Sequence, residues 1–89
     1  MSKVKEEKVV YFERKANLSL VEFATQLEVL ASKLKEEGAV TFKEGERETF
    51  VSPSRNVKAE FKYTSLNNKH EFEIELQWYD GQDETFLID

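Results

Sequence analysis

The chain of 89 residues contains no cysteine. That excludes disulfides, thiolate zinc sites, iron–sulfur clusters and thiol nucleophiles. A small domain without such staples fits a reducing compartment, so the expected location is cytoplasmic. Histidine occurs once, at His70, and proline once, at Pro53. Glycine occurs three times, and Gly38 and Gly45 form no phosphate-cradling pattern. No apolar run approaches the roughly 20 residues needed to span a bilayer, so no membrane is expected. Residues Met1 to Lys8 lack the apolar core of a signal peptide. The formal net charge is −5 and no dense Lys/Arg run is present, so nucleic acid is not an expected partner.

Seven Phe, three Tyr and one Trp nevertheless supply the apolar bulk of a folded domain. The length fits a single domain with a small core. Residues 1–7 read as a charged arm, 8–80 as the domain and 81–89 as a tail with Phe86, Leu87 and Ile88. Lys8 to Lys15 carries Val9, Val10, Tyr11 and Phe12 and reads as a first strand, with apolar residues at both parities.

Ser19-Leu20-Val21-Glu22 matches a capping box, and Leu18 with Phe23 could staple the helix entry. Phe23, Leu27, Leu30, Ala31 and Leu34 then recur at helical spacing, and Gly38 is the expected stop. After Gly38 the apolar period changes from 3.6 to 2. Ala39 to Lys43 and Arg47 to Val51 read as strands around a turn at Glu44-Gly45-Glu46. Ser52-Pro53-Ser54-Arg55 breaks the sheet, since Pro53 cannot donate to a ladder.

Asn56 to Thr64 alternates apolar and charged residues, and so does Glu71 to Trp78. Asn67-Asn68 is the natural hairpin loop between them, because Asn tolerates the left-handed region. That loop sets Leu66 opposite Lys69, Lys62 opposite Glu73, Phe61 opposite Ile74, Ala59 opposite Leu76 and Val57 opposite Trp78. A slip by one residue would set apolar side chains against charges; a slip by two keeps the parity. The expected fold is therefore α+β: an antiparallel sheet of about five strands, with one helix packed on one face, in the order β-α-β-β-β-β.

One helix of about 18 residues is roughly 27 Å long and 10–12 Å across. Five strands make a sheet some 24 Å wide, so the helix covers about half of the apolar face. The remainder needs twist, the tail, a second copy, a ligand or a partner. Phe42, Phe50, Val57 and Trp78 are the candidate interface residues. Trp78 continues the apolar face, so core packing is its first reading and interface anchor its second.

The polar chemistry is thin. His70 sits beside a turn and reads as a surface residue, lacking the nucleophile and cleft a general base needs. Glu71, Glu73 and Glu75 lie about 7 Å apart along one strand and cannot converge on a metal. They read as a solvated face paired with Lys58 and Lys62. Asp80-Gly81-Gln82-Asp83-Glu84 lacks the spacing of a calcium loop. No cofactor, metal or catalytic residue is expected.

The acidic and apolar alternation Glu71-Phe72-Glu73-Ile74-Glu75-Leu76-Gln77-Trp78 resembles the Amphi-Trp domain family, a small prokaryotic domain. Leu27, Leu30 and Leu34 on a helix, then Gly38, Val40-Thr41-Phe42 and Pro53 before Val57, are similar to its layout. The likeness runs from the helix to Trp78. Gln77 departs from the basic residue expected there. The resemblance implies no activity and transfers no site residues. The expected role is a non-catalytic protein-interaction module, self-associating through the uncovered face or an edge strand. A small hydrophobic-ligand-binding domain is the alternative, and an enzyme is the least expected.

Overall fold

A computed structural model describes residues 7–81, so the expected arm and tail lie almost wholly outside the described residues. One helix is followed by four strands, an α+β arrangement. The chain divides into two compact units, Met1–Val51 and Ser52–Asp89.

In the first unit, α1 spans Leu20–Glu37. Ser19 is extended, and its hydroxyl accepts from the Glu22 amide at 3.0 Å. Such a cap contributes about 1 kcal/mol by satisfying a donor the helix itself cannot. Gly38 ends the helix at φ 67°, donating to the Leu34 carbonyl at 3.1 Å. A Cβ there would meet nothing within 4 Å, so the demand for glycine is conformational. Leu30 and Leu34 are half-buried, while Phe23 and Leu27 are exposed.

β1 (Val40–Glu44) and β2 (Arg47–Val51) form an antiparallel hairpin beside α1. Gly45, at φ 59°, opens the Gly45-Glu46 loop. Val40 faces Val51 and Phe42 faces Thr49 on one side; Thr41 faces Phe50 and Lys43 faces Glu48 on the other.

The expected first strand is absent: residues 8–15 carry no regular structure. With apolar residues at both parities, this segment offers no single face to a pleated sheet. It is held by side chains instead. The Phe12 ring stacks on Phe42 at 4.6 Å, and the Thr49 hydroxyl donates to the Tyr11 carbonyl at 3.5 Å.

In the second unit, β3 (Lys58–Leu66) and β4 (Lys69–Gln77) form an antiparallel hairpin across Asn67-Asn68, with Asn67 at φ 57°. The register is the one read from the sequence: Lys62 meets Glu73, Phe61 meets Ile74, and Ala59 meets Leu76. The ladder ends at Lys58–Gln77, one step before Val57 and Trp78 could pair.

The single five-stranded sheet is thus replaced by two two-stranded sheets. Residues 52–57, around Pro53, lie in no strand, which separates the two ladders. No described residue is buried.

Non-hydrogen-bonded pairs bring opposing Hα atoms closest. Proton NMR should show Hα–Hα Overhauser contacts for Phe61–Ile74 and Tyr63–Phe72. Contacts for Phe61–Phe72 instead would reveal a two-residue slip.

Candidate functional site: an open apolar strand face

Alternation along β3 and β4 sorts their side chains onto two faces. Ala59, Phe61 and Tyr63 from β3 and Phe72, Ile74 and Leu76 from β4 share one of them. Phe61 is 70% exposed, Tyr63 67% and Phe72 68%. Ile74 and Leu76 are exposed as well. Phe61 faces Ile74 and Tyr63 faces Phe72 in neighbouring pairs of the same face, so the aromatic surface is continuous rather than scattered. Contiguous exposed apolar surface is a feature that interaction sites share.

The opposite face is charged. β3 contributes Lys58, Glu60 and Lys62, and β4 contributes Glu71, Glu73 and Glu75. The expected pairing of these acids with Lys58 and Lys62 takes a different form. Lys62 does lie opposite Glu73, but the close contacts run along β4. Lys69 Nζ lies 3.1 Å from Glu71, and Gln77 Nε2 donates to Glu75 at 2.6 Å. Exposed pairs of this kind contribute at most about 1 kcal/mol.

Near the loop, the apolar face carries a polar contact. Tyr63 Oη and His70 Nδ1 lie 2.7 Å apart, with their rings stacked at 5.9 Å and 10°. The two residues are diagonal neighbours on one face, within reach of aromatic side chains. With the Tyr63 hydroxyl donating, Nδ1 accepts and the imidazole proton lies on Nε2. His70 is exposed, and its ring is engaged in packing the loop end of the hairpin.

The first unit holds an open groove of ≈ 690 Å³ between α1 and the hairpin. Val29, Val40 and Phe50 line it together with Lys33, Glu37, Lys43 and Glu48.

Of the four candidate interface residues, Phe42 and Phe50 lie in the first unit and Val57 and Trp78 in the second. Phe42 is half-buried under Phe12, while Phe50 projects from the opposite face of its hairpin and is 70% exposed. Val57 and Trp78 flank the end of the β3–β4 ladder, the first exposed and the second half-buried. The residues that carry the open face, Phe61, Tyr63, Phe72 and Ile74, belong to the apolar face that one helix was expected to cover only by half, and none of them was among the interface candidates named from the sequence. The same alternation signals an interface wherever no cover follows. The Tyr63–His70 contact was also legible, because the register places the two diagonally.

A protein-family model described as the Amphi-Trp domain matches residues 5–86. No curated protein matches the chain. No solved structure matches it either.

Tyr63→Phe removes the hydroxyl that lies 2.7 Å from Nδ1 and, when donating, holds it as an acceptor. Nitrogen NMR of neutral His70 should then show a larger Nδ1–H tautomer fraction than in the unmodified chain. Equal fractions in both would mean the contact has no hold on the ring.

Proposed function

We propose, for a chain that belongs to the Amphi-Trp domain family, that it is a non-catalytic protein-interaction module working through the β3–β4 hairpin. Self-association is the simplest form of that role. The observation that carries it is the open face of Phe61, Tyr63, Phe72 and Ile74. A lone two-stranded hairpin is marginally stable in water, and further strands or a covering surface stabilise it. An aromatic face supplies much of the energy of protein association.

Net charge supports a protein partner over nucleic acid, since −5 opposes a phosphate backbone. The absence of cysteine supports a cytoplasmic setting. For catalysis, acids and bases are tuned by burial and convergence. Every described carboxylate here is exposed, which favours the binding role.

The alternative, a small hydrophobic-ligand-binding domain, draws on the groove beside α1. Its ≈ 690 Å³ exceeds the roughly 300 Å³ at which ligand sites begin. Its four charged lining residues argue against an apolar cargo, which needs a mostly apolar wall.

Phe61→Ser combined with Ile74→Asn removes a facing apolar pair from the exposed surface. Sedimentation up to about 100 μM should show self-association of the unmodified chain, weakened at least about tenfold in the double variant. A monomer throughout, or association unmoved by the substitutions, overturns the reading.

A further inference from the structure

The two outer edges of the β3–β4 hairpin differ in what they could accept. Neither is paired to another strand among the described residues. A two-residue loop makes Leu66–Lys69 a hydrogen-bonded pair, through the bond that closes the turn. Alternation then sends the amides and carbonyls of Ala59, Phe61, Tyr63 and Ser65 outward from β3. On β4 it sends those of His70, Phe72, Ile74 and Leu76 outward.

A second copy adding antiparallel about a two-fold axis must join like groups to like. The apolar faces of both copies then fall on the same side of the extended sheet. Three registers keep most of β3 paired, centred on Phe61, Lys62 or Tyr63. Centred on Lys62, the axis sets that cation against its own copy. Centred on Tyr63, Lys62 meets Thr64 and no charges are matched. Centred on Phe61, Glu60 meets Lys62 of the second copy, and the reciprocal pair forms across the axis. Phe61 then meets Phe61, and Ala59 meets Tyr63. Glu60 and Lys62 occupy the non-hydrogen-bonded positions of this register, where facing side chains come closest.

β4 offers no equivalent. Its corresponding registers are centred on Phe72, Glu73 or Ile74. Centred on Phe72, Lys69 meets Glu75 but Glu71 meets Glu73. Centred on Glu73, that residue meets itself and Glu71 meets Glu75. Centred on Ile74, Glu73 meets Glu75, so each register carries a like-charge pair that the Phe61 register of β3 lacks. Directly opposed like charges destabilise a strand pair, so β4 carries its own barrier to edge pairing.

We infer that the chain dimerises through β3 in an antiparallel, two-fold register centred on Phe61, giving a four-stranded sheet ordered β4-β3-β3-β4. The inference rests on the interaction-module reading and names its partner, a second copy. Attachment of β3 to β4 of another copy would leave outer edges open and propagate beyond a dimer; the two-fold arrangement closes after one step. The acidic outer strands then face solvent on both sides, and the apolar face doubles in width.

The test exploits the reciprocity of the Glu60–Lys62 pair. Glu60→Lys and Lys62→Glu, each alone, turn both cross-axis pairs into like-charge pairs. Each variant should dimerise about tenfold more weakly than the unmodified chain at low salt. When the two variants are mixed, opposite charges face again at both positions, and a heterodimer should form with near-native affinity. Mixing cannot alter either hairpin by itself, so recovery isolates the contact between copies. Association that Phe61→Ser with Ile74→Asn weakens, but that neither charge variant alters, overturns the β3 register and leaves the interaction module standing. Assemblies larger than a dimer overturn the two-fold arrangement. A monomer at about 100 μM overturns both.

Discussion

A hairpin loop of two residues leaves its flanking residues no choice of partner. With Asn67 and Asn68 in the loop, Leu66 meets Lys69, and every later pair follows. Because side chains alternate across a strand, that one constraint sorts all of β3 and β4 into an apolar and a charged face. It also decides which backbone groups point outward along each edge. Facial composition, the Tyr63–His70 contact and the unequal edges of the hairpin all descend from the loop.

The first unit works on a different constraint. Ser19 and Gly38 bound α1 by satisfying end groups that a helix leaves open. The Phe12–Phe42 stack draws residues 8–15 onto the hairpin without a backbone ladder. Neither device encloses a core, and Leu30 and Leu34 remain only half-buried. Among the described residues no apolar side chain is buried, and many large ones are exposed.

Legibility in the sequence followed the range of the interaction. The helix limits came from local capping chemistry, and Ser19 and Gly38 stand where that chemistry put them. The β3–β4 register came from one loop and one alternation, and it matches pair for pair up to Lys58–Gln77. Long-range arrangement was not legible in the same way. Val9, Val10, Tyr11 and Phe12 have the composition of a strand, yet composition names no partner, and no ladder forms. The one-sheet expectation assumed that alternating strands must meet around a shared core, although Pro53 already marked a break. For the same reason the half of the apolar face expected to stay uncovered was assigned to Phe42, Phe50, Val57 and Trp78 rather than to Phe61, Tyr63, Phe72 and Ile74. Alternation says which residues share a face, and only the rest of the fold says whether that face is closed.

The central claim is that the apolar face of β3–β4 is open in the isolated chain and that copies associate along the β3 edge at Phe61. Hydroxyl-radical footprinting with mass spectrometry, across a dilution series, tests it most directly. The account predicts strong oxidation of Phe61, Tyr63 and Phe72 at high dilution, with Phe61 increasingly protected as concentration rises. Protection of all three at every concentration would contradict it, because the face would then be covered within a single chain.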